Sequence, residues 1–286
     1  MIDLHTHSTF SDGTLAPAAL VELADTLKIE AVALTDHDTI DGIPEAIDAA
    51  RHRAVRFVPG VELSCEIEHG ALHIIGLFID HTHPGLNALL DEATANRNAR
   101  NAKIADRFCD LGMPLTLAEV EEKAIIGTVG RPHFAAVLTE KGYTHSIREA
   151  FLKYLGKNGA AYYPKVRIAP DRAIRTISEA GGLSVLAHPD QTHLGGKALA
   201  DYLQGLRDSG LDAMETHYSG YTVSRSRKYR KLAIRLGLMQ SGGSDFHGGV
   251  KPGLALGAGP GDLHVPSELL PVLERAAQAR QAAKTK

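Results

Sequence analysis

The sequence contains no tryptophan, and only 5% of its 286 residues are aromatic. Its two cysteines, Cys65 and Cys109, supply neither a disulfide framework nor a closely spaced metal-binding pair, which indicates a reducing compartment. Lysine and arginine number 31 against 34 aspartate and glutamate residues, so no overall positive field attracts nucleic acid or an anionic membrane. No apolar run approaches the ~18 residues of a membrane span, and no basic, apolar leader follows Met1. We expect a soluble, cytoplasmic protein in which any phosphate binding is local.

Short apolar segments alternate with longer amphipathic ones in two parts of the chain. This β-α-β spacing occupies the first eighty or so residues and returns from Pro170, which predicts parallel strands with right-handed crossovers. The predicted strands are 2–5, 31–35, 55–58, 72–79, 183–187, 212–215 and 238–241. From Pro84 to about Tyr163 the pattern is helical without a convincing strand pair. The sequence therefore predicts an α/β domain formed by residues 1–83 and 166–286, with a helical insertion, or cap, at 84–165.

Histidines and carboxylates recur where the predicted strands end. His5 and His7 lie two residues apart in the first strand, so both imidazoles can face one point. A structural hydrogen-bonded histidine pair is the alternative. Asp36, His37 and Asp38 end the second strand, where they fit a metal ligand with its orienting carboxylates, or an Asx-rich turn.

The later strands show the same residue types. Glu62 ends the third strand region, where a buried carboxylate needs a cationic partner. His73 lies inside an apolar run, where a lone histidine is more often a satisfied core residue. Further candidates follow three strands of the second half: His188, Glu215, His217, Asp245 and His247. To explain all of these residues by structural roles would need a separate coincidence at almost every strand end, so the sequence predicts a metal centre. A ligand set of imidazole and carboxylate without thiolate favours Mn, Zn or Fe.

As a set, these motifs resemble the PHP (polymerase and histidinol phosphatase) family in content and order. They are His5-x-His7, Ser11-Asp12-Gly13, Thr35-Asp36-His37-Asp38, Gly60-Val61-Glu62, Ala187-His188-Pro189 and Gly243-Ser244-Asp245-Phe246-His247. The resemblance implies an α/β fold, a distorted (β/α)7 barrel with a mainly helical insertion subdomain. It also implies a trinuclear metal centre at the C-terminal ends of the strands that hydrolyses phosphate esters.

The resemblance further implies which residues bind each metal. The first metal would be held by His5, His7, Glu62 and Asp245. Glu62 would bridge to a second metal that is also bound by His73 and His188. The third would be held by Asp12, His37 and His247. Many family members have histidine where Asp12 stands, so we expect this third site to be weaker or to prefer Mn. We expect Mn at the centre, with Zn or Fe as alternatives, and we expect Asp36 and Asp38 to orient His37.

Three close divalent cations predict the reaction. In such a centre a water between two of the metals would lose a proton near neutral pH and become the nucleophile, and the metals would neutralise the charge that develops on the phosphoryl oxygens. No serine or cysteine nucleophile is required. His217 and a metal-bound water are both candidates for protonating the leaving group.

The insertion offers candidate substrate-binding residues. Arg97, Arg100 and Asn101 fall at i, i+3 and i+4, so one helix face could present two guanidinium groups and an amide, or could be a solvated surface. Gly130-Arg131-Pro132-His133 opens a helix, where backbone amides, Arg131 and His133 form an anion site, or else a capping turn.

Two further cations lie outside these motifs. Lys165 stands at the return from the insertion to the barrel and could contact the same phosphate. Arg225 begins a basic helix, most of which we expect to be exposed, and lies at the end nearest the predicted site.

A helical insertion that opens with Gly-Arg-Pro-His is similar to the PHP subgroup of 3′,5′-nucleoside bisphosphate phosphatases and a related 5′→3′ exoribonuclease. The resemblance implies hydrolysis of the 3′-phosphate of a substrate such as pAp, to leave AMP. Cleavage of short 5′-phosphorylated RNA or DNA is the first alternative, histidinol-phosphate hydrolysis the next, and a metal-dependent scaffold the non-enzymatic one. We expect a small nucleotide or a short oligonucleotide as partner, and neither duplex nucleic acid nor a membrane.

Overall fold

The computed structural model describes residues 1–124, 129–259 and 263–284. The chain divides into two units: Met1–Leu90 with Arg167–Lys286, here called the barrel unit, and Asp91–Val166, the helical unit. The helical unit starts slightly later than the predicted insertion, because the first turns of the long helix Pro84–Asp110 belong to the barrel unit. Among the described residues, no helix combines the length and apolar character needed to cross a bilayer.

A seven-stranded sheet, with its strands in chain order, forms the barrel unit. The strands are β1 (Ile2–Asp3), β2 (Ala31–Leu34), β3 (Arg56–Cys65), β4 (Leu72–Leu77), β5 (Leu183–Leu186), β6 (Ala213–Tyr218) and β7 (Met239–Gly243). The sheet nearly closes into a distorted (β/α)7 barrel, because hydrogen bonds join the residues just after β1 to the end of β7 and to the loop that follows it. The Leu4 amide donates to the Gly242 carbonyl at 3.1 Å, and the Asp245 amide donates to the His5 carbonyl at 2.9 Å.

The prediction of parallel strands is wrong at β4, which pairs antiparallel with both β3 and β5. Only residues 66–71 connect β3 to β4, and a parallel crossover needs about a dozen or more. Because β3 extends past the predicted 55–58, Glu62 lies within the strand and not at its end. His73 opposes Ser64 and Ile75 opposes Glu62, so alternation along each strand places Glu62 and His73 on the same face of the hairpin.

The helices of the described residues are, in chain order, α1 (Pro17–Thr26), α2 (Ile43–Ala50), α3 (Pro84–Asp110), α4 (Leu117–Glu121), α5 (Arg131–Glu140), α6 (Ile147–Ala150), α7 (Pro170–Glu179), α8 (Gly196–Asp208), α9 (Val223–Leu236) and α10 (Leu269–Lys284). Pro17 and Pro170 begin α1 and α7, where the missing proline N–H needs no partner. Inside the barrel, apolar side chains such as Ile2, Ile75 and Val185 form a buried core.

The helical unit has a core of its own. Phe108 of α3 and Phe134 of α5 are fully buried in it, together with Leu138 and Leu155. Thr116 caps α4 through its hydroxyl, which accepts from the Glu119 amide at 3.2 Å, and the Glu119 carboxylate accepts in return from the Thr116 amide at 2.7 Å. The helical periodicity of the insertion predicts helices over 86–109, 117–124, 132–141 and 147–155, and a helix is present in each segment, the last of which continues as a π-helical turn.

Candidate metal centre

All of the predicted metal ligands lie together at one end of the barrel. Their ligand atoms fall into overlapping groups, each with its atoms within 4.8 Å of one another. The groups are His5, His7 and Asp245; His5, Glu62 and His188; His37, Glu62 and His73; and His7, Asp12, His37 and His247. A structure that needed these residues only for packing would not direct so many nitrogen and oxygen lone pairs to one region.

His5 and His7 converge as their two-residue spacing predicts. Their Nε2 atoms lie 3.1 Å apart, and Asp245 Oδ1 lies 3.5 Å from the first and 3.2 Å from the second. All three side chains are almost fully buried. Three ligand atoms this close, with two imidazoles among them, define one point at which a cation would be held.

Glu62 faces two different sets of histidines with its two oxygens. Oε1 lies 2.9 Å from His188 Nε2 and 3.0 Å from His73 Nδ1. Oε2 lies 3.0 Å from His37 Nδ1 and 3.3 Å from His5 Nε2. A buried carboxylate that serves two separate ligand sets has the arrangement of a bridging ligand.

Asp12 lies on the solvent-exposed side of the ligand cluster. Its carboxylate lies 3.2 Å from His247 Nε2 and 4.0 Å from His37 Nε2. The Asp12 side chain is 56% exposed, whereas the His247 side chain is 4% exposed. Solvent therefore reaches this group of ligands more readily than the others.

The buried carboxylates of the cluster require compensating positive charge. Burial alone would raise the pKa of Glu62 and of Asp245, yet the neighbouring imidazoles hold the pKa of each carboxyl well below its usual range. Burial alone would lower the pKa of His7, but the carboxylates of Asp245 and Glu62, 3.2 and 3.3 Å from its Nε2, raise that pKa to about 9. Ionised carboxylates this deeply buried need compensating cations.

Two buried ligand atoms that lack a hydrogen-bond partner show that the residues of the cluster fit divalent cations. Glu62 Oε2 and His37 Nδ1 are buried without a hydrogen-bond partner among the described residues, although they lie only 3.0 Å apart. Two ligand atoms that are close but do not bond each other are placed to share a third atom. The donor set of imidazole and carboxylate without thiolate suits Mn, Zn or Fe.

Glu215 is a candidate from the sequence to which the motifs assign no metal-binding or catalytic role. Its Oε1 lies 2.9 Å from His5 Nδ1, and its Oε2 accepts the backbone N–H of His188 at 2.6 Å. A proton on His5 Nδ1 leaves Nε2 unprotonated toward the ligand cluster. The sequence places Glu215 at the end of the predicted strand 212–215, but the functional role predicted there belongs to His217, two residues later.

His217 is not among these ligand groups. A register irregularity separates Glu215 from His217 in the pairing of β6 with β7, so the simple two-residue alternation fails at that point. His217 Nδ1 lies 2.9 Å from Thr216 Oγ1, and the ring lines a separate cavity. The structure therefore does not bring it to the metal centre for proton transfer.

Asp36 differs from its predicted role. Its carboxylate accepts from the Ser8 amide and hydroxyl at 2.7 and 2.6 Å and from the Ser11 hydroxyl at 2.5 Å. Asp36 thus ties down the loop after β1 that carries His7. Asp38 accepts from the amide and hydroxyl of Ser64 at 2.8 and 3.0 Å.

Asp245 is held by two partners that the sequence did not indicate. Lys251 Nζ lies 2.7 Å from Asp245 Oδ2, and the Tyr218 hydroxyl donates to the same oxygen at 2.9 Å. This leaves Oδ1 facing the histidines. The Asp245 backbone has φ +57°, and a Cβ on Gly243 would come within 2.5 Å of His5 Cβ, so the loop after β7 passes the centre in a strained, close-fitting path.

An arginine cluster lies within the helical unit. Arg100 is only 7% exposed, its Nη2 donates to Asn101 Oδ1 at 3.0 Å, and its Nε is buried without a partner among the described residues. Burial lowers the pKa of Arg100 to about 10, with contributions from the nearby charges of Arg131 and Arg97. Three neighbouring guanidinium groups and an unsatisfied N–H create an anion-binding environment.

The remaining predicted binding residues have these placements. Arg131 donates to the Leu155 carbonyl at 3.0 Å. His133 Nδ1 accepts the Gly130 amide at 3.0 Å, so it caps α5. Lys165 is exposed in the helical unit, and Arg225, in the barrel unit, pairs with Asp190 at 3.1 Å.

Comparisons with known proteins agree with this fold and site. The PHP domain family matches residues 3–204, and the chain belongs to this family of metal-dependent phosphoesterases. It is 37% identical over 247 residues to the 5′-3′ exoribonuclease Rnm of Escherichia coli, covering 86% of this chain and 84% of that one. It is 31% identical over 259 residues to the 3′,5′-nucleoside bisphosphate phosphatase of Chromobacterium violaceum, covering 86% and 87%. A crystal structure from Bifidobacterium adolescentis, assigned as a metal-dependent phosphoesterase, superposes with a TM-score of 0.78 at 27% identity over 96% of this chain and 95% of that one.

Proposed function

We propose that this protein is a phosphatase that removes the 3′-phosphate from nucleoside 3′,5′-bisphosphates, converting pAp to AMP and inorganic phosphate. The observation that carries this proposal is the arginine cluster, in which the buried Nε of Arg100 has no described partner beside Arg131 and Arg97. Such an anion-binding environment suits a substrate that carries a second phosphate in addition to the ester that a metal-dependent phosphoesterase hydrolyses.

We infer that three divalent cations, with Mn preferred, occupy the centre, in the grouping expected from the family resemblance. The first would be held by His5, His7, Glu62 and Asp245, the second by Glu62, His73 and His188, and the third by Asp12, His37 and His247. When bound, such cations activate water and neutralise the phosphoryl oxygens. The overlapping ligand groups and the two-sided contacts of Glu62 support this arrangement.

The protein's own residues prepare these ligands for cations. Glu215 keeps the proton of His5 on Nδ1, so that Nε2 is available as a ligand. Lys251 and Tyr218 occupy Asp245 Oδ2 and thereby present Oδ1 to the histidines. Burial of Glu62 and Asp245 excludes water from the ligand atoms, which strengthens electrostatic interactions there.

Exonucleolytic cleavage of short 5′-phosphorylated RNA or DNA is the second candidate. The specific observation in its favour is the greater identity to the exoribonuclease than to the bisphosphate phosphatase. Histidinol phosphate ranks lower, because it has no second phosphate for Arg100. A scaffold without catalysis ranks last, because a centre freed from catalysis would be expected to lose ligands, and none is missing here.

The test is phosphate release, with Mn²⁺, from pAp, 3′-AMP, AMP, histidinol phosphate and a 5′-phosphorylated dinucleotide. A kcat/KM for pAp well above the rest, with AMP as product, supports the proposal. Preference for the dinucleotide would make the protein a nuclease, and preference for histidinol phosphate would remove the arginine cluster from substrate recognition. No hydrolysis of any of them would overturn the enzyme assignment.

Arg131→Ala tests the role of the cluster directly. Loss of a charge-assisted phosphate contact of about 1.5–3 kcal/mol raises KM for pAp by about 10- to 100-fold, and leaves a simple aryl phosphate nearly unaffected. Arg148→Ala is the matched control, because Arg148 is an exposed arginine of the same helical unit. Equal losses on both substrates would exclude Arg131 from specificity.

A further inference from the structure

A cavity of about 300 Å³ in the barrel unit lies beside the first two turns of α9 and is here called the α9 cavity. Val223, Ser226, Arg227 and Arg230 line it at i, i+3, i+4 and i+7, so one face of the helix borders it. None of the described residues that line it is a predicted metal ligand. Its volume is at the lower end of the range for small-molecule sites, so it has room for a small ligand.

Basic side chains surround the α9 cavity. Arg227, Arg230 and His264 line it, and no aspartate or glutamate is among its described lining residues. Within the described part of the chain, neither arginine has an ion pair or a hydrogen bond to neutralise it. Because the two arginines lie three positions apart on one helix face, they also repel each other. Two unpaired guanidinium groups beside a cavity favour an anion that bonds to both.

The positive charge of the cavity wall reaches His217, whose residue is only 9% exposed. Burial, and then the charges of Arg230 and His264, lower the pKa of His217 to about 4. The imidazole is therefore neutral near pH 7, and the arginines supply the positive potential of the cavity. A partly enclosed space with a positive potential concentrates anions.

The rest of the wall is apolar or aromatic. Val223, Leu263 and Pro266 line the cavity, and so do Tyr218 and Tyr221. The Tyr221 hydroxyl is buried without a hydrogen-bond partner among the described residues, a group that a ligand or a water can satisfy. A wall with a few cations and a larger apolar part matches an organic molecule that has one acidic group and a compact apolar body.

Tyr218 belongs to both the α9 cavity and the surroundings of the metal centre. Its hydroxyl donates to Asp245 Oδ2 at 2.9 Å. Its ring packs edge-on against the ring of His188, with centroids 5.6 Å apart and ring planes at 68°. A ligand that contacts the Tyr218 ring therefore acts on two predicted metal ligands at once, because the ring cannot move without disturbing both contacts.

We propose that the α9 cavity binds a small organic anion and that the bound anion tightens cation binding at the metal centre. The acidic head, a carboxylate or a phosphate, lies on Arg227 and Arg230, and the apolar body contacts Leu263 and the Tyr218 ring. The negative charge attracts the cations, and the body holds Tyr218 in its hydrogen bond to Asp245, so both effects act in the same direction. The anion is an effector that is not hydrolysed, and its effect on cations rests on the metal binding proposed for the centre.

Inorganic phosphate fits the cavity less well than an organic anion. It satisfies the arginines but leaves the apolar wall without a contact. A comparison of aryl anions with inorganic phosphate therefore distinguishes an organic-anion site from a general attraction to phosphate.

Binding is tested on the full-length protein after its metal has been removed with a chelating resin. Benzoate, phenyl phosphate and inorganic phosphate are titrated near pH 7, and the imidazole NMR signals of His217 and His264 are followed. The signals are assigned from their loss in His217→Gln and His264→Gln. The α9 variant carries R227Q and R230Q together. The matched control carries R175Q and R275Q, which remove two exposed arginines from α7 and α10.

We expect saturable shifts of both imidazole signals with the aryl anion whose head the site prefers, and binding of inorganic phosphate about tenfold weaker because it buries no apolar surface. The α9 variant should bind the preferred anion at least about tenfold more weakly, because it loses charge-assisted hydrogen bonds. The control should bind like the unmodified protein. No saturable shift with either aryl anion, equally tight binding of inorganic phosphate, or unchanged affinity in the α9 variant would overturn the proposal.

The effect on the metal centre is measured by competition for Mn²⁺ with a metal-sensitive chelator, with and without a saturating concentration of the preferred anion. We expect the anion to raise the Mn²⁺ affinity by about fivefold or more in the unmodified protein and in the control, and to leave it unchanged in the α9 variant. Tyr218→Phe keeps the ring but not the hydrogen bond to Asp245, so it should bind the anion and lose most of the increase. Mn²⁺ affinity that stays the same or falls when the anion is added to the unmodified protein would overturn the link to the metal centre.

Hydrolysis separates this inference from the proposed function. Anion binding by the metal-free protein requires no activity. If no phosphate ester is hydrolysed but an aryl anion binds in the α9 cavity, the enzyme assignment fails and the anion site stands. If pAp is converted to AMP but no anion shifts the His217 signal, the enzyme assignment stands and the anion site fails.

Discussion

Glu215 Oε1 lies 2.9 Å from Nδ1 of His5, although the two residues are 210 positions apart in the chain. This buried contact decides which ring nitrogen of His5 carries the proton, and so which nitrogen faces the ligand cluster. Glu215 also accepts the backbone N–H of His188. One carboxylate outside the ligand set therefore positions ligands that follow two different strands, β1 and β5.

Glu215→Gln should weaken metal binding without unfolding the protein. The amide keeps the shape of the side chain but no longer stabilises a proton on His5 Nδ1, so affinity and activity should fall by about 10- to 100-fold. Competition with a metal-sensitive chelator measures the affinity. Glu268→Gln, at an exposed glutamate, is the control. Unchanged affinity in Glu215→Gln would show that His5 is oriented by other groups.

Metal removal should lower both activity and thermal stability. Without cations, the buried carboxylates of Glu62 and Asp245 lose their compensating charge. Binding at 100 times Kd contributes about 2.7 kcal/mol to stability, so chelation should reduce Tm by several degrees and abolish phosphate release. In His7→Ala, which breaks two ligand groups, Tm should respond much less to added Mn²⁺. A chelator that leaves activity intact contradicts a metal-dependent reaction.

Gly243→Ala should disrupt the centre by sterics alone. A Cβ there would lie 2.5 Å from the Cβ and backbone nitrogen of His5, so β7 must move away from the end of β1. We expect a loss of more than about 2 kcal/mol in the free energy of unfolding, together with loss of metal binding. Gly205→Ala, in the exposed middle of α8 with nothing within 4 Å of the new Cβ, should instead stabilise the protein by about 0.5–1 kcal/mol. Urea unfolding of both variants provides the comparison.

His217 should make stability fall on mild acidification. Burial, with the nearby charges of Arg230 and His264, lowers the pKa of His217 from 6.5 to about 4. Between these values the unfolded chain binds the proton and the folded protein does not, so stability is complete above pH 6.5 and is lost as the pH falls toward 4. A shift of this size corresponds to about 3 kcal/mol, which we reduce to about 1–2 kcal/mol because the ring lines an open cavity.

His217→Gln removes that titration. Urea unfolding at about pH 7 and pH 4.5 should therefore show a smaller loss of stability for the variant than for the unmodified protein. Because acid protonates other groups in both proteins, only the difference between the two losses is interpreted. Equal losses would mean that His217 is as easily protonated in the folded protein as in the unfolded chain.

Much of this protein can be predicted from its sequence, because residue type and local spacing carry the information. Histidine and carboxylate at the ends of apolar segments predict the metal centre, since few other environments accept so many of them. The helical periodicity between residues 84 and 165 predicts the helices of the insertion, and the observed bounds differ from the predicted ones by a few residues.

The tertiary structure decided what depends on pairing between distant segments. The antiparallel course of β4 follows from a connection too short for a crossover, and it brings His73 beside Glu62. The irregularity in β6 directs Glu215 to His5 and His217 elsewhere. The contact between Lys251 and Asp245 cannot be read from the sequence either. The same is true of the buried Nε of Arg100, which has no hydrogen-bond partner among the described residues. The sequence by itself determined which kinds of atom are available for chemistry, and the folded chain determined which of them meet, because hydrogen bonds and ion pairs act over a few ångströms in space and not along the chain.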